Sequence, residues 1–196
     1  MKHNFYLIIL LLISAFSCSE DYVPKPKGYL RLDYPRAQYT YLNSDQLPFA
    51  FETNILATKI TIKSLKTVTE SYGINLEYPT MKGVLFLTYK AVDENKDNLT
   101  DYLRDAQKFT LEHTIKADEI PVYPFEDSKR KVYGVLSEVK GNVASPVQFY
   151  VTDSVNHFLT GSLYFNAKPN YDSILPAVNY LQKDISRIME TIQWKK

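Results

Sequence analysis

Asp153, Ser154 and His157 place a carboxylate, a hydroxyl and an imidazole within five residues. A hydroxyl nucleophile needs a base within hydrogen-bond reach and a third group to hold that base. The D-S-x-x-H run supplies the residue types. It lacks a G-x-S-x-G elbow, and no oxyanion-hole donors are evident around it. Asp and Ser are also what a tight turn uses to bond its own backbone, so the run is read as a turn, with a Ser154/His157 hydrolase as a rival. His113 falls at helical spacing on an apolar face and is read as a rim residue with one nitrogen bonded and the other wet, not as a proton carrier. His113 and His157 are 44 residues apart, and no H-x-x-x-H, C-x-x-C, Walker loop or G-x-G-x-x-G accompanies them. No acid pair stands in an apolar stretch, as a glycosidase-type pair would. No catalytic residue, metal site or cofactor is expected.

The remaining chemical group is Cys18, the chain's 1 cysteine. Before it, nine apolar or aromatic residues, Phe5 to Ile13, follow Lys2 and His3. The stretch is short for a bilayer span of about 20 residues, and with Ser14, Ala15 and Ser17 it reads as a secretory leader. A thiol at that cleavage position suits a lipoprotein signal peptidase, which cuts after diacylglyceryl transfer to sulfur. The expectation is therefore a leader over 1–17, cleavage before Cys18 and acylation (palmitate among the chains) of the new N-terminus. Ala15 and Phe16 depart from the usual lipobox. Several acyl chains anchor firmly where one is marginal.

Removing 17 of the 196 residues leaves 179, suited to one domain and a tether. Loss of Lys2 takes the 23 basic residues to 22, equal to the 22 acidic ones. A balanced chain offers no basic stripe for nucleic acid. Without further cysteines, stability must come from packing, for which 16 Tyr and 10 Phe supply material.

The elements follow from periodicity. Residues 18–47 are expected to be a lipidated tether. Within it Pro24, Pro26 and Pro35 favour extended backbone, and Tyr29, Arg31, Asp33 and Tyr34 belong to an alternating arm suited to contact a partner. The globular domain is expected over 48–196. Short strands are predicted around Phe49 and Phe51 and around Ile74, Leu76 and Tyr78; 55–71 is compatible with helix or strand. Gly83 to Tyr89 is apolar at nearly every position, which predicts a strand covered on both faces. A helix is predicted from Asn98 as cap with Asp101 as its box acid, carrying Leu99, Tyr102, Leu103, Ala106, Phe109, Thr110 and His113 on one face. Residues 118–130 are predicted as loop. Val132–Val139, Val147–Thr152 and His157–Phe165 are predicted as successive antiparallel strands. A final helix capped by Asp172 or Ser173 bears the stripe Ile174, Val178, Leu181, Ile185, Ile188, Met189 and Ile192, with Trp194 pinning its end. The fold class is α+β, an antiparallel sheet packed between helices. Its element order resembles the PsbP/Mog1-like sandwich.

Several of these stretches resemble one family. They are Asp21 to Pro35 (DYVPKPKGYLRLDYP), Gly83 to Lys90, Leu103 to Gln107, and Gln148 to Pro176 with FYVTDSVNHFLTGSLYF and KPNYDSILP. They are similar to the gliding motility lipoprotein GldD family of the Bacteroidota. The resemblance implies a non-enzymatic part in gliding and in the linked type IX protein secretion. It implies acylated Cys18 holding the chain to membrane lipid, and other envelope proteins of that machinery as partners. Ser19, in place of the aspartate that retains lipoproteins at the inner membrane, favours the outer membrane, periplasmic side. A rival small-ligand-binding lipoprotein would need a cavity in the sheet beneath the Asp153 turn.

Overall fold

The structure is a computed structural model that describes residues 32–111, 117–166 and 171–195. The stretch expected to be a leader, Cys18, Tyr29, Arg31 and His113 lie outside the described residues.

Among the described residues, ten strands and two α-helices follow in the order β1 (Tyr39–Leu42), β2 (Phe49–Asn54), β3 (Lys59–Ser64), β4 (Ser71–Tyr78), β5 (Gly83–Ala91), α1 (Lys96–Leu111), β6 (Val122–Asp127), β7 (Val132–Glu138), β8 (Val147–Thr152), β9 (His157–Phe165), α2 (Tyr171–Thr191) and β10 (Gln193–Trp194), with a 3-10 turn over Pro79–Met81. Seven strands form one antiparallel sheet in the order β3-β4-β5-β9-β8-β7-β6. A smaller sheet, β1-β2-β10, is also antiparallel. The α+β architecture with helices on opposite sides of the large sheet is as the sequence predicts.

Side chains alternate across each strand, and the register assembles one apolar face. Ile74 opposes Leu87, Leu76 opposes Leu85, and Leu85 in turn opposes Leu163. Phe149 and Leu87 flank Gly161 from the two neighbouring strands. A Cβ at Gly161 would collide with the Phe149 ring and a Leu87 methyl group, so hydrogen is the one substituent that lets both seat. Val178, Leu181, Ile185, Ile188, Met189 and Ile192 of α2 close over this face, together with Phe49 and Phe51 of β2. Burying such side chains is favourable by roughly 1.5–3 kcal/mol each.

Trp194 fixes the closing turn as expected. Its indole N–H donates to the Lys131 carbonyl at 3.1 Å, and its ring stands edge-on to Phe49. Pro176 lies one turn inside α2, which begins at Tyr171, ahead of both predicted caps.

Three local expectations are corrected and one left open is resolved. Residues 118–130 hold the strand β6, not a loop alone; it survives Pro124 because it is the sheet's edge, where a missing N–H costs no ladder bond. The 55–71 stretch resolves as strand β3. The first helix is capped by Asn95, not Asn98: the Asn95 carboxamide oxygen accepts from the Asp97 N–H at 2.9 Å, whereas Asn98 donates to the Val92 carbonyl. The β5 strand is not covered on both faces throughout, since Phe86 is 41% exposed and meets Tyr164 edge-on. The segment read as tether contains Tyr39–Leu42, which pairs along β2.

Candidate functional site

Four regions bring polar chemistry together. The first is the D-S-x-x-H run, which joins β8 to β9. One Asp153 carboxylate oxygen accepts the backbone N–H groups of Val155, Asn156 and His157 at 2.9, 2.8 and 2.8 Å. Thr152 completes the turn: its hydroxyl donates to the His157 carbonyl at 2.6 Å and accepts from the Ser154 N–H. Ser154 sits exposed at φ 67, in the left-handed region that a tight turn demands. The three residues act here as a turn, with the carboxylate committed to backbone.

The His157 ring makes its contacts with Tyr89 and Trp194. Its Nδ1 is 2.9 Å from the Tyr89 hydroxyl, and its ring lies flat on Trp194 at 4.9 Å and 7°. Burial lowers its pKa from the ordinary 6.5, while the charges of Asp153 and Glu70 pull the other way. Burial likewise raises the Tyr89 phenol. The imidazole is a half-buried bridge between the large sheet and the chain's end.

The second region is where the N-terminal arm meets the body. Tyr34 packs its ring on Tyr180 of α2 at 5.2 Å, while Leu32 is exposed. Of the four arm residues expected to contact a partner, Asp33 and Tyr34 are described, and Tyr34 docks on its own domain.

Close by, the third region surrounds Asp184. This residue interrupts the apolar stripe of α2 and is 2% exposed. Asn54 donates from its amide nitrogen to both carboxylate oxygens, at 3.1 and 3.0 Å, and to the Tyr180 hydroxyl at 3.2 Å. Tyr39 donates its hydroxyl to Asp184 at 2.9 Å. Burial raises the carboxyl's pKa and the hydrogen bonds oppose it. A buried charge needs such partners. Arg187 is nearby but pairs with Glu52 at 2.8 Å and lies over the Tyr39 ring. The signal for this site was in the sequence: an acid stood between Leu181 and Ile188 on an otherwise apolar face.

The fourth region is a cavity of about 870 Å³ on the other face of the large sheet, roofed in part by α1. Its described lining includes Thr88 and Lys90 of β5, Phe158, Thr160 and Ser162 of β9, and Tyr102 of α1. Its near end is at Phe158, one residue past His157, and it runs from there toward the middle of the sheet, away from the turn. Tyr102 stacks obliquely on Phe158 at 5.6 Å, and Phe158 stacks on Tyr150 at 5.7 Å. At the rim the Lys90 ammonium lies 4.5 Å from the Tyr102 ring centre and 3.9 Å from Asp105. Sequence reasoning missed this cavity. The hint was the recurrence of Thr160 and Ser162 at alternate positions of an otherwise apolar strand.

Among the described residues no helix is long and apolar enough to cross a membrane. No curated protein matches the chain. The family described as gliding motility lipoprotein GldD matches residues 19–194, beginning at the residue after Cys18 and ending in β10, so that it spans both sheets and both helices. The chain belongs to the GldD family of gliding motility lipoproteins, proteins of the cell envelope.

Proposed function

We propose that the protein is a lipid-anchored, non-enzymatic structural or assembly component of the gliding machinery and of the type IX secretion linked to it. Its anchor is an acylated Cys18 in a membrane facing the periplasm, with the outer membrane favoured by Ser19. Its partners are other envelope proteins of the same apparatus. The observation that carries this reading is the family match across the whole folded body, starting at the residue next to the one thiol able to take lipid. The use of one Asp153 carboxylate oxygen by three backbone N–H groups supports it, because that oxygen is held by the turn.

Two experiments test it. Deleting the gene should abolish both colony spreading and release of type IX cargo; cells that keep both overturn the role. Cys18→Ala should leave the far-ultraviolet circular dichroism of the folded body unchanged while moving the protein from the membrane pellet to the soluble fraction. Retention of that variant in the pellet overturns the anchor.

A further inference from the structure

The two edges of the seven-stranded sheet differ. Strand β6 carries Pro124, which has no N–H to offer a further strand. Strand β3, KITIKS, has neither proline nor glycine, and among the described residues its outer edge pairs with no strand. Lys59, Ile60, Lys63 and Ser64 are all exposed. Backbone direction fixes which groups that edge presents. The Leu65 N–H donates to the Ser71 carbonyl at 2.9 Å, in register with the β3–β4 pairing. Bonded and non-bonded residues alternate in an antiparallel ladder. Lys59, Thr61 and Lys63 therefore turn their backbone groups to β4, and Ile60, Ile62 and Ser64 turn theirs outward. Side chains fix the two faces. Ile60 and Ile62 oppose Leu76 and Ile74 and lie on the first, apolar face, yet Ile60, with no strand beyond it, is 36% exposed. Lys59, Thr61 and Lys63 lie on the second face. Lys59 reaches Glu77 at 2.8 Å, whereas Lys63, and Lys66 just past the strand, have no acidic partner among the described residues.

We propose that β3 receives an extended segment of a partner protein in which acidic and aliphatic residues alternate, added antiparallel like every other pair in the sheet. In strand addition the main-chain bonds supply affinity and the alternate side chains supply specificity. The bonds here go to Ile60, Ile62 and Ser64. Aliphatic residues of the partner continue the Ile60–Ile62 surface. Its acidic residues stand opposite Lys63 and Lys59, in the non-hydrogen-bonded pairs where side chains lie closer, and opposite charges so placed are stabilising. A second copy of β3 does not meet this requirement. The register that sets Ile60 against Ile62 also sets Lys59 against Lys63, and like charges directly opposite are destabilising. A basic strand fails on the same ground. The inference rests on the reading that the partners are proteins, and it names the kind of segment by which one binds.

The test uses the full chain in lipid nanodiscs and the synthetic peptide TEVTVET. Its antiparallel register sets the glutamates against Lys63 and Lys59 and the valines against Ile62 and Ile60. Amide hydrogen exchange, read residue by residue, should slow at Ile60, Ile62 and Ser64 when the peptide is added at millimolar concentration. The basic peptide TKVTVKT should leave those amides unchanged. Lys63→Glu should weaken binding of TEVTVET about tenfold, and TKVTVET, which sets a lysine against position 63, should recover the loss. A melting temperature shows whether the variant is folded; if it is not, exchange in the wild-type chain decides alone. Unchanged exchange with TEVTVET overturns the proposal, as does equal slowing by TKVTVKT or a folded Lys63→Glu chain that binds TEVTVET like wild type. Amides already protected before peptide is added also overturn it, because the edge is then filled by the chain itself or by a second copy. A peptide that fails to bind leaves the gene-deletion result standing, so the two readings fail separately.

Discussion

Asp153 shows how a residue type suited to catalysis can be used for architecture. Its carboxylate accepts three backbone N–H groups, and hydrogen bonds to a charged acceptor are the stronger kind. Asp153→Ala should therefore lower stability by about 1–3 kcal/mol in urea titration, whereas Ser154→Ala, at an exposed position whose side chain bonds nothing described, should change it by less than about 0.5 kcal/mol. A loss of gliding in a stable Ser154→Ala strain would revive the hydrolase reading. His157 gives a pH dependence whose sign is fixed by burial. Its folded pKa lies below the ordinary 6.5, so the unfolded chain takes up the proton first. Stability should fall as pH drops through 6.5 toward the folded value and level off below it. Measured as the wild-type unfolding free energy minus that of His157→Gln, this slope should be positive with rising pH across that window; a zero difference would show that the imidazole is not desolvated.

Among the elements, the clearest coupling is between the first hairpin and the last helix. Strands β1 and β2 come early in the chain and α2 late, yet Tyr39 and Asn54 converge on Asp184. Asn54 is the donor that serves both carboxylate oxygens, and its own oxygen accepts the Leu56 N–H at 3.0 Å. Asn54→Ala would leave a buried carboxylate with one described donor, Tyr39. The expected cost is at least about 2 kcal/mol, read as a lower denaturant midpoint with an unchanged slope. A midpoint within error of wild type would show that water replaces the amide. Edge strands are managed by sequence as well: Pro124 interrupts the donors of β6, and Lys59 and Lys63 mark β3 as a strand unsuited to edge-to-edge pairing.

For the molecule as a whole, the two sheets share one apolar core. Phe49 and Phe51 of the small sheet, Leu85, Leu87 and Tyr89 of the large one, and the α2 stripe belong to a single cluster of buried residues. The small sheet has no separate interior to hold it together. Calorimetry should accordingly show one unfolding transition, with the calorimetric and van't Hoff enthalpies equal. Two resolved transitions would mean that the β1-β2-β10 layer melts by itself.

Much of this was legible in the residues. The strands β5, β7, β8 and β9 and the helix α2 carry strong periodic signals, because the patterns of period 2 and 3.6 arise from how each element meets its own core. The turn chemistry of Asp153 was legible for the same local reason. The family likeness lay in contiguous stretches of sequence, and Cys18 was singled out by its place behind an apolar run. What only the tertiary structure decided depends on residues far apart in the chain. Strand β6 contains a proline and exposed side chains, and it became a strand because β7 offered an edge. The helix began at Asn95 because the turn leaving β5 presented that side chain first. The Asp184 site needed β1, β2 and α2 to meet. The cavity needed α1 to cover part of the second face and leave part open. Periodicity reports which way a side chain faces; how much of that face a later element covers is settled only when the whole chain has packed.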